Sequence, residues 1–453
     1  MSSPDLVRRY DRRVPRYTSY PTAPHFTPAV TADSCADWLS ALPDNVPLSL
    51  YLHVPFCDRL CLYCGCNTFV VRQEAPRRSY AALLEDELQM VAACVGRGRD
   101  VTQVHWGGGT PTTLPADCLV GIMALIRGLF TLGRDAEVAI EIDPTSLPPD
   151  RLGALADMKI TRASLGVQDL DPAVQHAIGR VQSYEATADC AASLRAMDIA
   201  SLNLDLIYGL PKQTVETVTR TARQALALQA DRVAVFGYAH VPWMKRHQAL
   251  IAEASLPDAP SRFAQLRAIA DVLEHEGGYR PVGLDHYARP GDAMAEAAGS
   301  GQLRRSFQGY TTDAAPALVG IGASAIGCLP QGYVQNAPTV PAYAQAIRGG
   351  RLATVRGVAL SADDRLRREV IERLMCDLQV DLAAVATAHR ANGGPLLVAA
   401  DGLAGFSQDG LVRLEGSKVI VTEAGRPFVR TVAAMFDAYL APDDAKPKHA
   451  SAI

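Results

Sequence analysis

The sequence predicts an α/β protein whose body is an incomplete barrel of six β/α units, preceded by an N-terminal segment and followed by a mainly helical module. Three observations predict this. Between residues 48 and 240, β-like runs alternate with helical runs. Polar residues gather where the β-like runs end. Near residue 361 the alternation stops and the pattern changes to helices followed by a hairpin. Regular strand–helix alternation is the mark of a parallel sheet with helical crossovers.

The β-like runs are residues 49–55, 101–106, 137–142, 162–167, 201–207 and 232–236. Each is short, apolar or alternating, and bounded by turn or polar residues. Apolar positions at helical spacing fill residues 80–93, 116–130, 184–197 and 215–228 between them. An eight-unit barrel typically takes about 250 residues, more than this stretch offers, so six units in a curved, unclosed barrel fit better. An open doubly wound sheet has the same periodicity and stays open as the alternative.

Beyond the barrel, residues 363–377 repeat Arg, Leu and Glu at helical spacing, residues 410–422 read as a hairpin, and a helix follows to Leu440. Helices followed by a small hairpin resemble a winged-helix arrangement. The stretch has no dense basic face, so a cover over the barrel is expected rather than a nucleic-acid reader. The expected division is an N-terminal lid at 1–40, the barrel with an extension at 41–350, a helical C-terminal domain at 361–440 and a disordered tail at 441–453.

At 453 residues, with 48% hydrophobic and 20% charged residues, the chain has the composition of a globular protein able to bury a large core. A net charge of −4 argues against nucleic-acid binding through a basic surface. Arg8, Arg9, Arg12, Arg13 and Arg16 form a local basic run that suits either an anionic small molecule or a solvated face. No apolar signal core and no long apolar span occur, so a cytoplasmic protein is expected. Cys35, Cys94, Cys118, Cys190, Cys328 and Cys376 are scattered singly and read as small buried hydrophobes rather than disulfides.

The densest chemical signal follows the first β-like run. Cys57, Cys61 and Cys64 stand at C-x3-C-x2-C spacing. Three converging thiolates can hold a 4Fe–4S cluster through three of its irons and leave one iron open for a ligand. Structural zinc is the competing reading, but zinc sites commonly pair two C-x2-C or C/H groups, and no second pair occurs. Cys66 stands two residues past the third cysteine and could in principle be a fourth ligand, or a small buried residue.

Parallel α/β folds place their sites beyond the C-terminal ends of the strands. There the sequence puts the cysteine loop, Gly107-Gly108-Gly109-Thr110-Pro111, Glu141 with Asp143, Gln168, Asp205 with Tyr208, and Tyr238 with His240. Glu141 and Asp143 share a strand face, as do Asn203 and Asp205. The glycine run lacks a following Gly-Lys-Ser/Thr and is a poor phosphate loop, but glycines let a backbone approach a ligand closely.

A cysteine triad after the first strand of a six-unit barrel, then a glycine-rich second strand end, resembles the radical S-adenosylmethionine (SAM) enzymes. Longer stretches resemble the oxygen-independent coproporphyrinogen III oxidase family: Pro15-Arg16-Tyr17-Thr18-Ser19-Tyr20-Pro21-Thr22, Tyr51 to Asn67 around the cysteines, Trp106-Gly107-Gly108-Gly109-Thr110-Pro111-Thr112, Gly166-Val167-Gln168-Asp169, Asp205 to Thr214, Asp285-His286-Tyr287-Ala288-Arg289-Pro290, Phe307 to Thr312 and Phe436-Asp437-Ala438-Tyr439-Leu440. The related haem chaperones typically continue Asp-Phe after the third cysteine and lack the N-terminal segment. Here Gly65-Cys66 follows, which favours the oxidase.

The resemblance implies the radical SAM type of barrel, one 4Fe–4S cluster on Cys57, Cys61 and Cys64, and two molecules of SAM. Matched by position, Tyr51, Gly108, Glu141 and Ile326 belong to the first SAM site. Tyr63, Gly109, Thr110, Gln168, Arg180, Asp205 and Ala239 belong to the second. It implies a 5′-deoxyadenosyl radical that takes a hydrogen from the ring A and B propionates of coproporphyrinogen III, giving the vinyl groups of protoporphyrinogen IX in haem biosynthesis. Cys66 is carried over as a functional thiol. Arg16 and Arg289 are expected to meet substrate propionates, because guanidinium matches carboxylate with a bidentate fork. Residues 11–22 are expected to fold over the barrel mouth. An electron-donor protein is the implied partner, with no nucleic acid or membrane, and the chain is expected to act as a monomer.

Overall fold

The computed structural model describes residues 3–440 and 449–452. The six expected strands are all present: β1 (Leu48–Val54), β2 (Asp100–Gly108), β3 (Thr131–Ile142), β4 (Arg162–Gln168), β5 (Ser201–Tyr208) and β6 (Arg232–Gly237). Five further strands border them: β7 (Arg280–Val282), β8 (His286–Ala288), β9 (Ala317–Ile321), β10 (Ile326–Leu329) and β11 (Gly332–Asn336). The last of the sheet is β12 (Thr354–Ala359). Their order across the sheet is β12-β11-β10-β9-β1-β2-β3-β4-β5-β6-β8-β7. From β9 to β6 every neighbouring pair is parallel; the pairs outside that run are antiparallel.

Strands β1 to β6 lie in chain order with no reversal, so the sheet has no topological switch point among them. That excludes the doubly wound alternative and leaves the open barrel. Strand β9 was not expected. It is a seventh parallel strand, brought back beside β1 with Tyr51 opposite Gly320. Its short run carries no following helix, so the alternation that announced the other six is missing.

Two-residue alternation sets the two faces. Leu48, Leu50, Leu52 and Val54 of β1 are fully buried, as are Val104 and Trp106 of β2, Ala163 and Leu165 of β4, and Val233 and Val235 of β6, all within the main apolar core shared with the helices Glu74–Val95 and Ala116–Leu129. The intervening residues face the barrel interior and are largely polar: Ser49, Tyr51 and His53, then Gln103 and His105, then Glu137 and Glu141, then Arg162 and Ser164, then Asn203 and Asp205. Low in the barrel, Glu137 accepts from Gln103 Nε2 at 2.6 Å and from Arg162 Nη2 at 3.0 Å. Burial opposes the charge on Glu137, but the Arg162 guanidinium and the Gln103 amide outweigh it and bring the carboxyl to about 2.

The C-terminal module has a helix at Ala362–Asp377, a strand at Gln379–Asp381, three short helices and the strands Val412–Glu415 and Lys418–Val421. Lys418–Val421 pairs antiparallel with both other strands. The single helix expected up to Leu440 is instead three short pieces between Arg426 and Phe436, broken after Pro427 opens the first of them. Residues of the N-terminal 1–40 divide between two cores. Val7, Tyr10, Val14, Tyr17 and Tyr20 bury with Leu366, Leu374, Phe428 and Phe436 of the module, whereas Ala32, Cys35 and Leu39 join the barrel core.

The expected disorder of 441–453 does not hold for 449–452. Residues 441–448 and 453 lie outside the described residues. Ser451 bridges Arg13, Ala452 N donates to Arg12 O at 2.9 Å, and Ala452 is buried in the module core. The four N–H groups that Arg430 uses go to Val14 O, Pro15 O, Ser451 O and Ala452 O, so one guanidinium ties the two ends of the chain together. A polar tail with few apolar residues shows no sign of this docking in its sequence. All ten cysteines are free, and no described helix is long and apolar enough to cross a membrane.

Glu137 supplies a stability test. Its folded carboxyl lies below the ordinary value of 4.5, so its contribution is present above that value and is lost as pH falls toward 2. Glu137→Gln should destabilise the fold by about 3 kcal/mol at pH 7, since Arg162 is left buried without a counter-charge. Urea unfolding should show that difference shrinking between pH 4.5 and pH 2.

Candidate active site

The C-terminal ends of the parallel strands open into a cavity of about 760 Å³. Its wall includes Cys57, Cys61, Cys64 and Cys66, then Gly108, Gly109 and Thr110, then Glu141, Gln168, Arg180, Asp205 and Ala239, with Tyr63 and Arg16. Most of the residues singled out in the sequence therefore face one space, although they come from separate strand ends.

The cysteine loop has almost no regular structure. It leaves β1 through a two-residue parallel contact of Phe56–Cys57 with Phe69–Val70. Its backbone is held from outside. Leu62 N donates to Ile178 O at 2.9 Å. Gln248 Nε2 donates to Tyr63 O at 2.8 Å, His247 Nε2 lies 2.7 Å from Cys64 O, and Lys245 Nζ donates to Cys66 O at 2.8 Å. Three side chains of Arg246–Leu250 and its flank thus grip three carbonyls of the loop. Sequence reasoning missed them, because the segment has no motif and no periodicity.

The thiols have distinct surroundings. Burial pushes the Cys57 thiol up to about 12, with Thr110 Oγ1 at 3.9 Å from its sulfur opposing that. The Cys66 thiol donates to Cys64, which brings Cys64 down to about 6. Arg180 Nη1 stands 3.6 Å from Cys61 Sγ and 3.1 Å from Asp143 Oδ2, while Nη2 donates to Gly166 O at 2.6 Å. Arg59 shares Asp143 at 3.3 Å. Gly109 is where the second strand end presses on the loop: a Cβ there would lie 2.5 Å from Phe56 O and 3.0 Å from Cys57 Sγ.

These residues fit an iron–sulfur cluster. Three sulfurs share one cavity wall beside a guanidinium and a hydroxyl that can donate to sulfur, and a cationic metal is what keeps a buried thiol such as Cys57 ionised. Among the described residues no three ligating side chains close on a single point as one bound ion would require.

Two carboxylates differ in character. Burial opposes the charge on Glu141, but the His105 ring at 3.3 Å and Gly108 N at 3.1 Å hold its carboxyl below the usual range. Asp205 is pushed up to about 6 by burial and then by the charge of Glu141, against hydrogen bonds from Asn203 Nδ2 at 2.8 Å and Ser164 Oγ at 3.1 Å. The backbone N–H groups of Gly108, Gly109 and Thr110 are all taken, by Glu141, Val54 O and Phe56 O. The glycines are required here by close approach of the protein itself: a Cβ at Gly108 would meet the His53 ring, one at Gly109 would meet Phe56 O, and Gly108 also needs its φ of +115°.

Three expected residues do not line the cavity. Tyr51 is one layer behind it, with its hydroxyl 3.0 Å from His53 Nδ1 and its ring packed with Glu141 against Gly107. Ile326 starts β10 and packs its side chain toward Phe26, Tyr333 and Leu360. Arg289 is at the wrong end of the barrel. Strand β8 runs antiparallel to β6, so from His286 to Ala288 the chain moves from Ala234 back to Arg232. Arg289 then stacks on Tyr279, with Nε 3.4 Å from its hydroxyl, and is withdrawn as a substrate contact. Arg16 does face the cavity, and its Nη2 donates to Gly237 O at 2.8 Å.

Comparison with known proteins agrees with this geometry. A model of the Radical SAM superfamily matches residues 51–225, and one of the HemN C-terminal domain matches residues 360–428. The oxygen-independent coproporphyrinogen III oxidase of Bradyrhizobium diazoefficiens is 49% identical over 99% of both chains. That of Pseudomonas aeruginosa is 39% identical over 96% of this chain and 95% of its own. The solved structure of coproporphyrinogen III oxidase (HemN) from Escherichia coli, described as a radical SAM enzyme, superposes with a TM-score of 0.89 at 37% identity, covering 95% of this chain and 100% of that one.

The Gly109 contact can be tested directly. Gly109→Ala should hold less than half the iron per chain of the parent after identical anaerobic reconstitution, whereas Gly65→Ala, whose Cβ meets nothing within 4 Å, should reconstitute fully. Iron analysis and visible absorption would read both.

Proposed function

The chain belongs to the oxygen-independent coproporphyrinogen III oxidase family of the radical SAM superfamily, and from that membership we propose that it converts the ring A and B propionates of coproporphyrinogen III to vinyl groups, yielding protoporphyrinogen IX. The observation that carries this reading is one cavity that joins the three-cysteine loop to the acidic and amide-bearing strand ends. Its size falls in the range of small-molecule sites.

Cys57, Cys61 and Cys64 would hold the 4Fe–4S cluster. With SAM bound, that cluster supplies a 5′-deoxyadenosyl radical able to take a hydrogen atom from the β-carbon of a substrate propionate. The hydrogen atom would leave as 5′-deoxyadenosine, and the substrate would lose carbon dioxide and pass one electron to an external one-electron acceptor, leaving a vinyl group in place of the propionate. The chain's own residues have positioning work to do. Glu141, kept ionised by His105, is a strong acceptor for an ammonium or a ribose hydroxyl. Asp205, its carboxyl raised to about 6, accepts when ionised and donates only in the protonated form that it reaches at mildly acidic pH. Gly108 and Gly109 leave room for SAM against the strand end. Gln168, Arg180, Thr110, Tyr63 and Ala239 line the side where a second SAM would sit. Tyr51 supports Glu141 from behind.

Hydrogen-atom transfer requires contact and a dry pocket rather than a general base. Val14, Pro15 and Arg16 cross the cavity mouth, which supports a covering role for residues 11–22. Cys66 is exposed in the cavity and hydrogen-bonded to Cys64, a place where a thiol can reach a bound substrate. A cytoplasmic setting, with an electron-donor protein supplying electrons one at a time, suits ten free cysteines.

Anaerobic enzyme with reconstituted cluster, a reductant, SAM and coproporphyrinogen III should form protoporphyrinogen IX and 5′-deoxyadenosine. Formation of 5′-deoxyadenosine without porphyrinogen product would retain the radical class and reject the substrate. Cys57→Ala should abolish both products. Cys66→Ser should keep its iron and lose turnover by about 10²-fold; full turnover would remove Cys66 from the reaction.

A further inference from the structure

Behind Gly237 and Tyr238, next to the main cavity, lies a small chamber of about 30 Å³, lined by Arg16, Arg262, Arg305, Arg430 and Asp285. Arg16, Gly237, Tyr238, Ala239 and Arg430 line both spaces, so the two adjoin. We propose that Arg16, Arg262 and Arg305 form a carboxylate receptor that holds a propionate which the reaction leaves intact. The proposal rests on the reading that the substrate is a tetrapyrrole with four propionates.

Charge is the first argument. Four guanidiniums line the chamber with one carboxylate among its described lining residues, and Asp285 is already engaged by His286 at 2.8 Å. Burial lowers both Arg16 and Arg430, the latter to about 10, and each is lowered further by neighbouring arginines. Such a concentration of buried positive charge is costly without an anion.

Unused donors are the second argument. Arg305 Nη1 and Arg262 Nε are buried and have no hydrogen-bond partner. Their neighbouring groups are bonded: Arg305 Nε and Nη2 donate to Tyr17 O and Arg16 O, and Arg262 Nη2 donates to Tyr238 O. Those bonds hold the forks in place and leave the orphan N–H groups for a ligand. Arg430 spends its donors on four backbone carbonyls and contributes charge alone. Buried donors in native structures are nearly always paired, so two orphans at one chamber point to an absent acceptor.

Size and place are the third. The chamber admits one or two water-sized groups, which suits the two oxygens of a carboxylate and excludes a ring. The cysteine loop follows β1, whereas the chamber lies beside β6, at the other end of the run from β1 to β6. A propionate held there is kept away from the reacting one, so the receptor fixes which rings face the radical.

The test uses reconstituted holoenzyme. Fluorescence titration should show coproporphyrin III binding at least about tenfold tighter than its tetramethyl ester, as expected where charge-assisted hydrogen bonds are lost. Arg262→Gln and Arg305→Gln should weaken the free acid about tenfold and leave the ester unchanged. They should raise KM for coproporphyrinogen III with little change in kcat, and leave cluster content and substrate-free SAM cleavage as in the parent. Unchanged acid affinity and KM in either variant with full cluster would overturn the proposal. If neither variant folds, equal binding of acid and ester by the parent enzyme overturns it, and preference for the acid supports it. Failure of the parent to form protoporphyrinogen at all would instead sink the substrate reading.

Discussion

Everything at the active site depends on holding still a loop that cannot hold itself. The stretch from Cys57 to Cys66 makes almost no regular backbone hydrogen bonds, yet three of its sulfurs must face one space. The fold answers by lending partners from elsewhere. Ile178 O takes Leu62 N, and Gln248, His247 and Lys245 take successive carbonyls. Gly109 closes the gap from the second strand, so close that no side chain fits there. The thiols are thereby preorganised by groups up to 185 residues away in the chain, and loop entropy is removed before any ligand arrives.

The barrel around that loop is a separation of two chemistries by one periodicity. Alternate residues of each strand bury Leu, Val, Ile and Trp against helices, and the residues between them line an interior rich in acids, amides and guanidiniums. Low in the barrel these groups satisfy one another, as Glu137 does with Gln103 and Arg162. At the mouth the partners are not guanidiniums: Glu141 is held by the His105 ring and Gly108 N, and Asp205, raised to about 6, by Asn203 and Ser164. Along the same strands the interior changes from a closed ion pair to carboxylates that face the cavity without a paired guanidinium.

Segments near both ends of the chain contribute to the cavity wall, through Val14, Pro15 and Arg16 and through Ala450. Tyr10, Tyr17 and Tyr20 are buried in the C-terminal module, and Arg430 gathers Val14, Pro15, Ser451 and Ala452 onto one guanidinium. The N-terminal segment is therefore anchored to the module, and Arg16 of the segment and Arg430 of the module both line the cavity.

Much of this was legible before folding. All six barrel strands, the four longest helices between them, the cysteine loop and the carboxylates at the strand ends followed from local patterns, because period-two and helical spacing are properties of neighbouring residues. The seventh parallel strand, β9, was not legible, since a short apolar run without its helix looks like any other. Nor were Lys245, His247 and Gln248, which act through carbonyls far away in the chain, or Arg430, whose partners come from both termini. Arg289 shows the reverse error: its type was right for a carboxylate, but an antiparallel strand carried it to the opposite end of the barrel. Residue chemistry and local spacing are short-range and survive in a linear string, whereas strand direction, burial and long-range partners exist only once the chain has closed on itself.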